Sequence, residues 1–151
     1  LYVDQKLAKN KGVMMKALYS TTSTITGGRV GTATLSDSDL EINMSPPGGN
    51  KHGNNPEQLL AIGYGACFDS ALGVVKKMEN ASFGSTTKTT VDLLQGEEHQ
   101  YKLAVKIHVI AHSTNLSADE FQQLVKKAHD VCPYSKATRN NIDIEVTSEI
   151  E

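Results

Sequence analysis

From Lys16 onward the apolar and polar positions fall into short runs that predict strands before helices. Ala17 to Ile25 is rich in threonine, with Tyr19 and Ile25 beside it, Gly27-Gly28 supplies a turn, and Arg29 to Leu35 reads as a short return strand. β-Branched residues suit a pleated surface, and a glycine pair accepts the left-handed φ of a tight hairpin. Leu40 to Met44 then alternates with a period of two. Between these strands lies Ser36-Asp37-Ser38-Asp39. It has the acidic spacing of a calcium loop but lacks the glycine and the terminal glutamate, so it reads as a polar hairpin turn.

Ser45 to Asn55 is a loop of proline, glycine and asparagine. Gly48 and Gly53 fit half of a phosphate loop, but Asn54 and Asn55 stand where the lysine and the Ser/Thr are needed, which excludes that reading. A helix start follows instead. Asn55 can cap, Pro56 suits the first helical position, Glu57 complements the dipole, and Gln58 sits where a capping-box partner belongs. The pattern carries this helix to about Asn80. From Leu59 to Val75 it is apolar or small on nearly every face, broken mainly by Asp69 and Ser70. A helix apolar all round is expected to be buried all round, here partly by a second subunit. Gly63, Gly65, Ala66 and Gly73 would admit another backbone closely.

Thr86 to Leu94 and Gln100 to Ala111 read as two antiparallel strands joined through residues 95–98. Ser117 opens a second helix with Glu120 at the capping-box position, and Phe121, Leu124, Val125 and Ala128 share one face. Pro133 ends or kinks it. Ile142 to Ile150 closes the chain as an alternating strand. The order predicts an α+β fold of antiparallel sheets around a long buried central helix. Residues 1–13, without periodicity, read as a vector-derived remnant or an N-terminal arm, and residues 14–151 as one domain.

Composition narrows the class. Lys+Arg is 15 against 17 Asp+Glu, a net charge of −2, which argues against nucleic-acid binding through a basic surface. The core is lean: 38% hydrophobic residues and no tryptophan. No charge-free apolar run reaches the roughly 18 residues of a membrane span, so a cytoplasmic protein without membrane partners is expected. His108 and His112 would chelate a metal on a helix, but on a strand they lie about 13 Å apart. No metal site is expected, and all five histidines read as solvated or locally hydrogen-bonded. That leaves Cys67, inside the most apolar segment, and Cys132, at a helix end before proline. From spacing alone each reads as a small buried hydrophobe.

Their surroundings change that. Residues 54–60 (Asn-Asn-Pro-Glu-Gln-Leu-Leu), 63–68 (Gly-Tyr-Gly-Ala-Cys-Phe) and the stretch from Cys132-Pro133-Tyr134-Ser135 to Ile142 resemble the organic hydroperoxide resistance family, a branch of the Ohr/OsmC superfamily. Leu18 to Thr22 followed by Gly27-Gly28-Arg29-Val30-Gly31 resembles its opening hairpin. The resemblance runs from Met15 to the C-terminus. It implies an intertwined homodimer that reduces organic and lipid hydroperoxides to alcohols. It further implies Cys67 as the attacking sulfur, Cys132 as the resolving one, and Arg29 and Glu57 as the polar pair beside them. No metal or flavin is implied; the reductant is an external dithiol, chiefly the lipoyl groups of lipoylated proteins.

Elementary chemistry agrees with that assignment. A thiolate is the nucleophile, and burial in an apolar helix disfavours it, so Cys67 needs a fixed cation. Arg29 is suited to this, with Glu57 to hold the guanidinium; Glu57 is equally adequate as a plain first-turn carboxylate. Phe68 and Tyr134 are candidates to line an alkyl-selective pocket, with core packing an adequate alternative for Phe68. Two other readings compete: the osmotically induced sister peroxidase, with another preferred peroxide, and a non-enzymatic dimer with silent cysteines.

Overall fold

The computed structural model describes residues 9–10, 13–49 and 52–151, in two units, Leu1–Gly53 and Asn54–Glu151. Most of the segment read as a remnant or arm lies outside the described residues, as do positions 50 and 51 of the loop. Within the first unit, β1 (Lys9–Asn10) and β2 (Val13–Met14) form a minimal antiparallel ladder. β3 (Ser23–Thr26), β4 (Thr32–Leu35) and β5 (Ser38–Asn43) form an antiparallel meander. The first predicted strand is shortened to its last residues. The return strand begins only at Thr32, because Gly28–Val30 winds into a single 3-10 turn that takes Arg29 out of the ladder. Gly27 and Gly28 carry φ of 80° and 56°, the left-handed values that made glycine the expected turn residue. The acidic turn is the predicted polar one. Asp37 accepts hydrogen bonds from the Thr21 hydroxyl at 2.5 Å and from the Tyr19 phenol, and both hold its carboxyl below the usual range.

The second unit opens with α1 (Pro56–Met78), and its start is closed as the sequence indicates. Asn55 Oδ1 accepts the Gln58 N–H at 2.8 Å while Gln58 Oε1 accepts the Asn55 N–H at 2.9 Å. Its end is a Schellman turn: Asn80, at φ 52°, lets the Ala81 N–H reach the Lys76 carbonyl at 2.8 Å. β6 (Gly84–Gln95) and β7 (Tyr101–His112) are antiparallel. α2 (Ala118–Val131), with its Ser117/Glu120 capping box, and α3 (Pro133–Thr138) lead into β8 (Asp143–Ile150).

One expectation needs correction, and a second is met only in part within one chain. The sheets are not all antiparallel, because β8 pairs with β7 in parallel. Alternation along a strand reports which face is buried but not which way the strand runs. The crossover through α2 and α3 returns the chain to the starting end of β7, as parallel pairing requires. Nor is α1 wrapped on all sides within one chain. It buries Tyr64, Phe68, Ala71, Leu72 and Val75 against β6 and α2, while Ile62, Val74 and Met78 stay exposed. One sheet face and two neighbouring helices, α2 and the short α3, cover only one side of an apolar cylinder. By length and composition α1 also passes for a membrane span, a test that core helices of folded proteins meet equally. The core beneath it is built from alternate β7 residues, Val105, Ile107, Val109 and Ala111, capped by Phe121, Val125 and Ala128 of α2.

Candidate active site

Tyr64, Cys67, Phe68, Ala71, Leu72 and Val75 recur at three- and four-residue steps, so they share one stripe of α1. Cys67 sits at the margin of that stripe and is half-buried. Cys132 is the hinge between α2 and α3. Its N–H closes α2 on the Ala128 carbonyl at 2.9 Å, and its carbonyl accepts the Lys136 N–H at 3.0 Å, opening α3. Pro133 disfavours helical geometry at the residue before it, which is why Cys132 stands at ψ 122° and the helix breaks there. With both backbone groups engaged, the fully buried Cys132 side chain is aimed at α1.

The two sulfurs, 65 residues apart in sequence, stand 3.6 Å from each other. A disulfide would bring them only about 1.5 Å closer. Burial pushes the Cys67 thiol above its ordinary value, and the neighbouring Cys132 sulfur adds to this. The Tyr134 backbone N–H, in the first turn of α3, hydrogen-bonds Cys67 and pulls the other way without reversing the balance. That donor could not be read from side-chain types.

The other candidate residues are placed as follows. Tyr134 is partly exposed; its ring packs on Tyr64 with centroids 5.5 Å apart, and its hydroxyl rests over Gly63, where an added Cβ would come within 2.9 Å. Gly65 likewise receives Thr89, so these two glycines admit side chains rather than a second backbone. Phe68 is fully buried in the core cluster. Glu57 lies in the first turn of α1, ten residues from Cys67 and therefore about 15 Å away along the axis. Arg29 lies in the 3-10 turn of the first unit. The structure therefore joins the two cysteines and keeps Glu57 of the same chain apart from them.

Sequence reasoning missed a polar cluster behind the sulfurs. The buried Tyr64 hydroxyl donates to Ser135 Oγ at 3.0 Å and lies 3.1 Å from Thr138 Oγ1; Ser135 Oγ is 2.9 Å from His129 Nδ1. His108 and His112, by contrast, are paired on the sheet with Thr147 and Glu149, and with Thr86 and Glu151. Among the described residues no three His, Cys, Asp or Glu side chains converge on one point.

Comparison with known proteins places this geometry in a family. Residues 48–147 match the family described as OsmC-like protein. The chain is 44% identical over 137 residues to the organic hydroperoxide resistance protein OhrA of Bacillus subtilis, covering 87% of this chain and 96% of that one. It superposes on the crystal structure of an organic hydroperoxide resistance protein from Elizabethkingia anophelis with a TM-score of 0.82 at 40% identity, covering 91% and 100% of the two chains. For OhrB of Bacillus subtilis the TM-score is 0.81 at 37% identity, covering 88% and 100%.

Proposed function

The chain belongs to the OsmC-like family, among its organic hydroperoxide resistance proteins, and from that membership we propose that it is a thiol peroxidase reducing alkyl and lipid hydroperoxides to alcohols. The observation that carries this reading is the approach of Cys67 and Cys132 to 3.6 Å. In the first step the Cys67 thiolate attacks the outer peroxide oxygen. An S–O bond forms, the O–O bond breaks, and the leaving alkoxide takes a proton to become the alcohol. The sulfur is now a sulfenic acid. Cys132 attacks it, the S–S bond forms, and the S–O bond breaks with loss of water. An external dithiol, by this reading a lipoyl group, returns both sulfurs to thiols by exchange. Such recycling suits a cytoplasmic setting, and the cycle needs neither metal nor flavin.

Burial opposes the first step, because Cys67 is held above its ordinary pKa. A cation must offset this, and Arg29 is the proposed source, with a planar fork that can serve both thiolate and peroxide oxygen. Glu57 would orient the guanidinium. Since Glu57 lies about 15 Å along α1 from Cys67 of its own chain, the pair is assigned to the partner of a two-fold homodimer. The apolar side of α1 left exposed, with Ile62 and Met78, supports a second copy there. Tyr134, partly exposed beside the sulfurs, is the candidate contact for the alkyl chain.

The test is a titration of free thiols before and after one equivalent of cumene hydroperoxide, in wild type and in Cys132→Ser. Loss of two thiols in wild type, against one in the variant, supports the reading. No thiol loss would leave the cysteines as silent core residues. Comparing turnover of an alkyl hydroperoxide with that of hydrogen peroxide separates this reading from the osmotically induced sister activity.

A further inference from the structure

We propose that Tyr64, Ser135 and His129 form a positioning network that keeps Cys132 against Cys67 and so sets the rate at which the sulfenic acid is resolved; this rests on the peroxidase reading above. Each cysteine has network members one turn away. Tyr64 precedes Cys67 by three residues on α1, His129 precedes Cys132 by three on α2, and Ser135 follows it by three on α3. The hydrogen bonds of 3.0 and 2.9 Å through Ser135 therefore tie together the three helices that carry the sulfur pair.

The protons in this cluster have a consistent order. Thr138 Oγ1 has one proton to place, on the Tyr134 carbonyl at 2.8 Å or on the Tyr64 oxygen at 3.1 Å, and only the second leaves no two acceptors face to face at the Tyr64 hydroxyl. Tyr64 has one proton and donates it to Ser135, and Ser135 donates its own to His129 Nδ1. That order requires the His129 proton to sit on Nε2. Burial lowers the imidazole pKa, which favours the neutral form that an accepting Nδ1 needs. Tyr64 and Ser135 are both fully buried, so neither hydroxyl can exchange its partner for water. A buried network with all members satisfied tolerates one arrangement and penalises others. That arrangement fixes α3, and α3 fixes the Cys132 carbonyl through Lys136.

Such a device matters because two reactions compete for the sulfenic acid. Attack by Cys132 gives the recyclable disulfide; attack by a second peroxide gives the sulfinic acid, which a thiol cannot reduce. Holding the resolving sulfur in place favours the first through proximity.

The test separates the two chemical steps. Tyr64→Phe and Ser135→Ala are mixed with an alkyl hydroperoxide, quenched at intervals with an alkylating agent, and Cys67 is scored by mass spectrometry as thiol, sulfenic acid, sulfinic acid or disulfide. Sulfenic acid formation, measured in a Cys132→Ser background, should stay within about twofold of wild type. Disulfide formation should slow by about three- to tenfold, the effect of one hydrogen bond on a positioned group, with sulfinic acid rising in proportion. Disulfide formation at the wild-type rate in both variants overturns the proposal. So does a parallel fall of both steps, which would mean general loss of packing. Should wild type form no sulfenic acid at all, the peroxidase reading falls. Positioning is then decided by equilibrating the cysteine pair with a glutathione redox buffer. Tyr64→Phe should need more oxidised glutathione to form the bond, and an unchanged midpoint overturns the proposal.

Discussion

The two units of this chain use the same alternating pattern with opposite results. In the C-terminal unit, alternation along β7 puts Val105, Ile107, Val109 and Ala111 in full burial, because α1 and α2 lie over that face. In the N-terminal unit, among the described residues, only Ala33 and Ser45 are buried. Ile25 remains 51% exposed, Val30 76% and Leu18 86%. Three strands of four, four and six residues present an apolar face and, among the described residues, have no α-helix of their own unit to cover it. A strand pattern records that a covering layer is needed; only a layer from elsewhere in the chain, or from another chain, can supply it.

The largest expected effect tests whether the chemistry belongs to the buried unit. Cys67→Ser should abolish peroxide reduction, whereas Cys132→Ser should complete about one turnover and stall with oxidised Cys67. Sustained dithiol-driven cycling by Cys132→Ser would contradict the division of roles between the sulfurs.

Next comes stability. Phe68→Ala removes a fully buried ring and should cost about 3–5 kcal/mol in denaturant unfolding. Ile25→Ala should fall within about 0.5 kcal/mol if the first unit stays exposed. If a second copy covers it, the loss grows and the unfolding midpoint becomes dependent on protein concentration. Equal costs at both sites, with no concentration dependence, would erase the contrast.

A smaller effect asks whether the exposed unit takes part in catalysis. Arg29→Ala should slow peroxide reduction by about 10- to 100-fold, as removing one close opposite charge raises a thiolate pKa by roughly one to two units. Arg29→Lys should recover only part of it. Co-refolding inactive Cys67→Ser with Arg29→Ala should restore about a quarter of wild-type activity if the site is shared across a dimer. A mixture as inactive as its parents assigns both residues to one chain.

The smallest effect concerns His129. Its pKa lies below the ordinary 6.5, chiefly through burial and then through Arg139, with Asp130 opposing. Lys126 also faces the cleft that His129 lines, and Ser135 occupies its Nδ1. A depressed histidine pKa means the unfolded chain binds the proton more readily. Stability is therefore full above about pH 6.5 and is lost as pH falls from there through the folded value. His129→Gln should flatten this part of the stability profile; an unchanged slope would show that another group titrates.

The local features were legible in the sequence. Asn55 with Gln58, and Ser117 with Glu120, announce helix starts because the capping groups lie within four residues of one another. Gly27-Gly28 announced its turn because φ is a local property. The motifs around Cys67 and Cys132 pointed to the family that the relatives establish. The direction of β8 was not legible, because side-chain alternation is the same for parallel and antiparallel pairing. Arg29 was expected in a strand and lies in a 3-10 turn, a difference of one local hydrogen-bonding choice after two glycines.

By itself, then, the sequence determined where α1 and α2 begin and which residues of β7 and α2 face inward, since each depends on neighbours a few residues away, and its motifs singled out Cys67 and Cys132 by resemblance. Tertiary structure decided that those sulfurs meet at 3.6 Å, that Tyr64, Ser135 and His129 bond behind them, and that only one side of α1 is covered. Those outcomes depend on segments up to 71 residues apart, and their distances are set by how the helices pack on the sheet rather than by any local preference of the chain.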